Sequence, residues 1–444
     1  MLRSHIFDVA FALLAAAWNG ELAMAATLSY EDARAVLQSV SDLHKSGEAG
    51  VGKQEYAARA ADSLGLPEVS VNATQVFGVK TGDLSTPIGT IPVDVNFNGP
   101  RSSINSTWSI YTGGRITATQ RALAAGVDQA RAELAVADEH LDLELTQVYF
   151  GLELAVTIER TRTAVLQQAD RQLERAIRFE QQGVIAKVER LNAQVSRDES
   201  ARELARAQRD REIAQARLQR LLRRDAVIEP STPLFVINNA FKPLPEWLQV
   251  AERQNPILAA FDAQREQAQQ GIVIAESRWK PEVFAFGSYA MIRHYQTIIE
   301  PNWIAGIGVR FTLFSPVDRA NTVNAAREGL RQVEALKAES RNDIDSLVES
   351  AYRKVEQARE QFNLLDSTLS LARENLRLRE RGFDEGQATS LDVNDARNAL
   401  ARAETARATA AYDFVIALAR LLEASGQAHA LPEFIEKADI RLRS

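Results

Sequence analysis

Apolar residues recur in alternating steps of three and four along two long stretches of this chain. The recurring positions are Leu123, Val127, Ala130, Leu134, Ala137, Leu141, Leu145, Val148 and Leu152 in the first stretch, and Ile344, Leu347, Ala351, Val355, Ala358, Phe362, Leu365, Leu369, Ala372 and Leu376 in the second. A spacing near 3.5 residues is typical of helices that pack as coiled coils. The pattern predicts long helices over 115–182 and 318–382, each about 100 Å long at about 1.5 Å per residue.

A glycine ends each predicted long helix, and an alanine-rich helix follows it. Gly183 and Gly386 stand where the chain must reverse, and glycine readily adopts the positive φ that such turns require. The many small side chains that follow let each returning helix approach its partner closely. The sequence therefore predicts two helical hairpins.

The two hairpins are copies of one unit. A shift of 203 residues places Tyr149 on Tyr352 and Gly183 on Gly386. One constant offset through the helical parts indicates an internal duplication. The predicted organisation is a first copy at 26–225 (opening helix, β-hairpin about 67–111, long helix 115–182, return helix 187–224), a proline-rich linker at 226–245, a second copy at 246–425 (helix 246–279, β-hairpin about 281–314, long helix 318–382, return helix 388–424) and a tail at 426–444.

Two segments of the first copy are expected to differ from the second copy. The opening segment, 30–66, contains Gly47, Gly50 and Gly52 and lacks the Asn-Pro pair found at 255–256, so we expect a shorter or broken helix there. The segment 81–100 is rich in Gly, Pro, Thr and Asn, which predicts a long loop.

The segments between the helices alternate between apolar and polar residues. The alternation is clearest over 305–313, where Ile307 and Val309 share one face and Gly306 and Gly308 share the other. This pattern fits a transmembrane β-strand and fits a half-buried strand of a soluble hairpin equally well. Four strands cannot close a barrel alone, and open sheet edges are not tolerated in lipid, so a membrane location implies oligomerisation.

Composition removes several classes of function. The 444 residues carry a net charge of -7 and include no cysteine, which argues against nucleic-acid binding and excludes disulfides and cysteine-ligated metals. The five histidines are scattered, no two are spaced as a metal-binding pair, and no phosphate-binding loop or nucleophile elbow occurs. We therefore expect no enzyme activity, no catalytic residues, no cofactor and no metal site.

The N-terminus has the features of an export signal. Arg3 precedes an apolar run over 6–18, and Ala23, Met24 and Ala25 supply small residues suited to cleavage. These features predict a signal peptide at 1–25. The alternative is an N-terminal helix that stays in the fold.

Three motifs, together with the doubled order of hairpins, resemble one known family. They are Ala251-Glu252-Arg253-Gln254-Asn255-Pro256 at the opening of the second copy, Trp279-Lys280-Pro281 before its first strand and Phe383-Asp384-Glu385-Gly386 at its helical turn. The family is that of the TolC-like outer-membrane efflux and secretion proteins. The resemblance implies a mainly α fold with a small β part. It also implies a homotrimer in which each chain gives four strands to a shared twelve-stranded transmembrane β-barrel and long hairpins to a trimeric α-barrel tunnel.

The resemblance also implies a gate at the periplasmic end of the tunnel. Asp392 and Asp395 stand at the places of a pair of pore-lining aspartates, and Phe383 stands at the place of a gate aromatic. An acidic ring in the trimer would favour cations, and repulsion between like charges would raise the pKa of its carboxyl groups. The alternative is a pair of solvated aspartates at a helix N-terminus, where negative charge is favourable.

The tips of both hairpins are expected to contact a periplasmic adaptor protein. The residues assigned to this contact are the turn glycines Gly183 and Gly386 together with Glu189 and Ala388. A member of the family has an arginine at the place of Ala388 that ties the closed gate, so this chain must hold its gate in another way. Glu189 and Asn192 occupy the places of the two aspartates in the first copy.

Two functions follow from these features. The first is an outer-membrane channel of a Gram-negative bacterium that conducts substrate passively from its periplasmic tunnel to the exterior, within a tripartite efflux pump or type I secretion system. An adaptor and an inner-membrane transporter would open it, and outer-membrane lipid would surround it. The second is a periplasmic coiled-coil scaffold or adaptor without a pore.

Overall fold

The computed structural model describes residues 26–96, 98–239, 241–293 and 301–442. The signal peptide predicted at 1–25 lies outside the described residues. Within them the chain is mainly helical with a small β part, so the predicted fold class is confirmed.

The helices of the two copies have nearly equal lengths. The two long helices contain 67 and 66 residues, and the two return helices contain 36 residues each. The helices of the first copy are α1 (Tyr30–Val40), α2 (Asp42–Asp62), α3 (Arg115–Gln181) and α4 (Lys187–Leu222). Those of the second copy are α5 (Leu244–Gln254), α6 (Pro256–Ser277), α7 (Arg319–Asp384) and α8 (Ser390–Ser425), and the short α9 (Leu431–Glu436) follows.

Ten strands accompany the helices in the described part of the chain. They are β1 (Ala26–Leu28), β2 (Glu68–Val76), β3 (Val79–Thr86), β4 (Gly89–Asn96), β5 (Gly99–Tyr111), β6 (Ile228–Pro230), β7 (Leu234–Val236), β8 (Glu282–Arg293), β9 (Trp303–Arg310) and β10 (Ile440–Leu442). The main sheet is antiparallel in the order β2-β5-β8-β9. Three small pairs complete the β structure: β3 with β4, β1 with β6, and β7 with β10.

The single helix expected over 246–279 is two helices in the structure. Asn255 separates α5 from α6 with an extended ψ of 122°, because the residue before a proline disfavours the helical conformation. The first copy breaks at the matching place, where Ser41 has a ψ of 124° between α1 and α2. The expected broken helix in this segment is confirmed, but the break lies at Ser41 and not at the glycines, which all lie inside α2.

Gly47 has a packing role that its sequence context does not reveal. A Cβ atom at this position would lie 2.5 Å from Cδ1 of Leu134 on α3. Glycine therefore permits a close approach between α2 and α3, and this contact is a reason for glycine within a helix that it otherwise weakens.

The long loop expected over 81–100 is also wrong. Strands β3 and β4 form a hairpin there, with Thr86 paired to Gly89 around a two-residue turn at Pro87 and Ile88. The glycines and prolines that suggested a loop lie at the turn and within an isolated two-stranded ribbon. Their presence concealed the alternation of β-branched residues between them.

The chain forms two compact units. One consists of the described residues up to Lys45 with 136–255 and those from 342 onward, and the other consists of 46–135 and 256–341. The first unit has an aromatic core. Its ring centroids lie 5.6 Å apart for Tyr30 and Phe150, 5.9 Å for Phe150 and Phe235, and 6.4 Å for Phe235 and Phe414.

The second unit contains the main sheet, whose two faces differ. A row of apolar side chains crosses all four strands on one face, with Val71 paired to Ile104, Ile104 to Tyr289, and Tyr289 to Trp303. These four side chains are exposed, Val71 by 64% and Trp303 by 68%. On the other face the Ser288 hydroxyl donates to Oδ1 of Asn105 at 2.8 Å. Among the described residues, no helix is long and apolar enough to span a lipid bilayer.

Candidate functional site at the helical tips

Both hairpins reverse through the same type of turn. Gly183 and Gly386 have φ angles of 74° and 72° and follow the ends of α3 and α7. The backbone hydrogen bonds of both turns form the Schellman pattern, which satisfies the last carbonyl groups of a helix. Their N–H to O pairs are Val184 to Phe179 (2.9 Å) and Gly183 to Glu180 (3.0 Å), and Gln387 to Gly382 (2.7 Å) and Gly386 to Phe383 (3.1 Å).

The return helices begin differently. Thr389 caps α8 by accepting the backbone N–H of Asp392 at 3.2 Å, and the Asp392 carboxylate accepts the backbone N–H of Thr389 at 2.9 Å. This reciprocal arrangement is a capping box. Ala186 occupies the same place before α4 and makes no side-chain cap.

The capping box changes the expectation for Asp392. The backbone and hydroxyl donors of Thr389 lower the pKa of this carboxyl group, and the Arg379 guanidinium 3.5 Å away adds to the effect. Within one chain these local donors set the direction of the shift, and the rise expected from like-charge repulsion in a trimeric ring stays a prediction. Asp395, one turn further on, is exposed.

Glu189 joins the two tips. Its carboxylate accepts the backbone N–H of Ser390, the first residue of α8, at 2.8 Å. Glu189 and Asp392 hold matching positions in the two copies, 203 residues apart. Because Ala186 offers no capping hydroxyl, the longer Glu189 side chain caps the other hairpin.

An apolar cluster fills the space between the tips. Its buried members are Leu376, Phe383, Val393 and Ala396, and Phe179, Ala388 and Leu400 pack against them. The rings of Phe179 and Phe383 lie 5.9 Å apart. Phe383 is only 3% exposed, so its ring lies inside the packing of its own chain. Ala388 fits this cluster, where a longer polar side chain would displace its neighbours.

A polar layer lies next to this cluster. The Arg175 guanidinium of α3 lies 3.3 Å from Oδ1 of Asp384 at the end of α7, and it donates to Oε1 of Gln172 at 2.9 Å. Arg397 of α8 is 2% exposed and donates to Oδ1 of Asn394 at 3.0 Å. Burial, together with the charge of Arg175, lowers the pKa of Arg397.

A second charged cluster gathers three of the five histidines. The imidazole to carboxylate distances are 2.6 Å for His44 and Asp138, 3.6 Å for His140 and Glu423, and 3.8 Å for His429 and Glu139. No group of three or more possible ligands in the described part of the chain could hold a metal ion. Each of these imidazoles lies beside a carboxylate of another element.

Glu139 also fixes the start of the C-terminal segment. Its carboxylate accepts the backbone N–H of Ala428 at 2.7 Å. Burial raises the pKa of Glu139 to about 7, and the nearby carboxylates of Asp142 and Glu423 act in the same direction. The group thus titrates near neutral pH.

Sequence reasoning missed the residues that join the hairpins. Asp384 stood within a recognised motif, but its partner Arg175 lies 209 positions away along the chain. Arg397 resembles the other arginines of an alanine-rich helix. The one sequence signal for its inward orientation is that small residues, Ala396 and Ala401, lie one position before it and four positions after it.

Comparisons with known proteins agree with this architecture. Residues 247–427 match the family model described as outer membrane efflux protein. The chain is similar in structure to the outer membrane channel CmeC of Campylobacter jejuni (14% identity, 93% of this chain and 90% of that chain, TM-score 0.72). It is similar to the outer membrane protein VceC of Vibrio cholerae (16% identity, 90% and 96%, TM-score 0.73) and to the open state of the MtrE outer membrane channel of Neisseria gonorrhoeae (17% identity, 90% and 89%, TM-score 0.70). A search of curated proteins finds no match.

These matches cover different parts of the chain. The sequence match lies in the second copy, and the structural matches extend over both copies at identities that show the fold alone. The sequence match confirms the resemblance to the TolC-like outer membrane efflux proteins for the second copy, and the structural matches show that the whole chain has the same fold.

Proposed function

We propose that this chain, which matches the outer membrane efflux protein family in its second copy and has the TolC-like fold, is an outer-membrane channel. Three chains would pass substrate from the periplasm to the exterior without chemistry. The four-stranded sheet carries this proposal. It has an exposed apolar face, and its outer strands β2 and β9 each leave one edge for another chain.

The helical hairpins support the tunnel part of the proposal. Exposed leucines recur every seven residues on α7, at Leu364, Leu371 and Leu378, and this spacing suits packing against a helix of another copy. An adaptor protein and an inner-membrane transporter would act on the tips around Gly183 and Gly386, either in a tripartite efflux pump or in type I secretion.

The gate is proposed at the second tip, with Asp392 and Asp395 facing the axis of the trimer. Phe383 would act from inside the tip, by keeping α7 and α8 in place, and not by lining the opening. In place of an arginine at Ala388, the closed arrangement would be held by the contact of Arg175 with Asp384 and by that of Glu189 with the Ser390 N–H.

Removal of the tips tests the channel assignment. Replacing 182–186 and 385–389 by short glycine-serine turns should abolish export and leave trimers in the outer membrane, because assembly and partner contact use different residues. A variant shortened only at 87–88, in the β3–β4 turn, is the matched control and should export normally. Normal export without the tips would contradict the assignment, and recovery of the intact protein from the soluble periplasm would favour the scaffold.

Cation block tests the proposed gate. Replacing Asp392 and Asp395 together by asparagine should weaken the block of single-channel conductance by multivalent cations, because carboxylate rings attract cations. Replacing the exposed Glu374 and Glu385 by their amides is the control for a general loss of negative charge near the tip. An unchanged block in the first variant would show that these aspartates do not line the pore.

A further inference from the structure

Arg397 is a charged side chain that is buried next to the apolar tip cluster. It lies on α8, one residue after Ala396 of the tip cluster, and is 2% exposed. A guanidinium remains protonated in proteins, and a buried charge is unfavourable unless it is paired and hydrogen-bonded. The position therefore requires an account of its partners.

The partners of Arg397 are few. Its Nη1 donates to the neutral amide of Asn394, whereas Nε and Nη2 have no hydrogen-bond partner among the described residues. Glu380 of α7 is the carboxylate that favours its charge, but no ion pair forms between them in the described structure. Arg175 of α3 adds a like charge nearby.

The nearby Arg175 is bonded to a buried glutamine whose amide nitrogen is itself an unpaired donor. Gln172 is 1% exposed, its Oε1 accepts from Arg175, and its Nε2 has no partner. A second copy of the chain cannot reach a guanidinium that is buried within one chain. Only movement of α8 away from its neighbours, or entry of water between them, can satisfy these donors.

We propose that Arg397 is a built-in destabiliser of the closed tip, which reduces the work needed to part α8 from α3 and α7. This proposal rests on the proposed gate and names what regulates it. The contacts of Arg175 with Asp384 and of Glu189 with Ser390 hold the hairpins together, and the buried guanidinium opposes them. The balance leaves the tip closed but ready to open, since movement of α8 away from α3 and α7 exposes Arg397 to water.

Replacement by an apolar side chain of similar length tests the proposal. Apolar replacement of a buried charge often stabilises a fold, whereas removal of a stabilising partner does the reverse. In the full-length trimer, Arg397→Met should slow hydrogen exchange of 172–190 and 376–400 by roughly tenfold and reduce the open fraction of single channels. Arg397→Lys keeps a buried charge and should remain within about threefold of the parent.

The controls separate charge from burial. Arg402→Met removes an exposed charge from the same helix and should change neither exchange nor opening. If Arg397→Met prevents folding, Arg397→Gln, which keeps one donor, should show a smaller change in the same direction. Equal or faster exchange at the tips in Arg397→Met and Arg397→Gln would overturn the proposal, because Arg397 would then be satisfied in the closed state. Failure of the channel assignment itself appears separately, as absence of conductance in the parent, and leaves the exchange result readable.

Discussion

The two helical tips differ in what one equivalent acid does. In the second tip Asp392 completes the cap of its own helix, and in the first tip Glu189 reaches across to the first N–H of α8. The turns before them are alike in φ and in hydrogen bonding. Two small differences, Thr389 against Ala186 and Asp392 against Glu189, accompany this change from an acid that acts within its hairpin to one that acts between hairpins.

The turns of the two tips should contribute equally to stability. Replacing each of three glycines by alanine tests this. Gly426 ends α8 with a φ of 74°, and a Cβ there would lie 2.5 Å from the backbone oxygen of Gln254. Gly183 and Gly386 have similar φ values and open space around them. In denaturant unfolding, Gly426→Ala should lower the free energy of unfolding by about 3 kcal/mol or more, and each tip variant should lower it by about 1 kcal/mol. Unequal losses at the two tips would place their difference in the turns.

A change of pH between 5 and 8 should alter the stability of the unit that contains Glu139 and leave the capping box of Asp392 unchanged. Glu139 has a pKa raised from 4.5 to about 7, so the folded state holds a proton that the unfolded state releases. Its contribution to stability is full below about pH 4.5 and is lost as the pH rises through 7, by up to about 3 kcal/mol. The ionisable groups that face Glu139 are Asp142, Glu423, Arg34 and His429. Asp392, with a lowered pKa, loses its contribution only in acid below its ordinary range.

The amide variant is the control for this titration. Glu139→Gln keeps an acceptor for the Ala428 N–H and cannot ionise, so its thermal midpoint should vary less with pH and exceed that of the parent at pH 8. Equal pH dependence in both proteins would show that Glu139 does not carry the effect.

Removing each acid separates the two roles. Glu189→Ala leaves the Ser390 N–H of α8 without its partner and should destabilise the contact between hairpins by about 1 kcal/mol. Asp392→Ala leaves the Thr389 hydroxyl as a cap and should have a smaller effect, confined to the first turn of α8. Hydrogen exchange at 388–394 measures both, and exchange in the first tip should rise only in Glu189→Ala. The opposite order would mean that the second tip depends on its own cap.

Making the tips alike is the finest test of the comparison. Ala186→Thr supplies the missing hydroxyl, so that Glu189 can form a capping box with its own helix. We expect α4 to be stabilised by less than about 1 kcal/mol, and we expect a weaker hydrogen bond from the Ser390 N–H to Glu189 to offset part of this gain. Faster exchange of the Ser390 amide alone would report this competition. Unchanged exchange there would show that Glu189 does not choose between the two helices.

The sequence predicted the features that depend on local order. The long helices follow from a repeated apolar spacing, and the positions of Gly183 and Gly386 follow from the conformations open to glycine. The break at Ser41 could not be predicted in the same way, because no proline marks it as Pro256 marks the break at Asn255. The β3–β4 hairpin could not be predicted because glycines and prolines, which usually indicate a loop, lie in its strands as well as in its turn.

The pairs of residues that join the two tips could not be predicted from local sequence patterns. Glu189 and Ser390 are 201 positions apart, and Arg175 and Asp384 are 209 apart, so only the packed structure brings them together. The burial of Arg397 likewise depends on which side of α8 faces α3. The pairs of histidines with carboxylates could not be predicted either, because each carboxylate lies on a different element from its histidine.

The bond from Ser390 to Glu189 has a direction, with the donor always on the second tip and the acceptor always on the first. In a ring of three such chains, tips of two kinds would alternate around the axis. The rotational symmetry of that end would be threefold, although six hairpins of similar outline compose it. A ligand with six identical binding elements would therefore meet two chemically distinct kinds of binding site, and each element would have to fit both kinds.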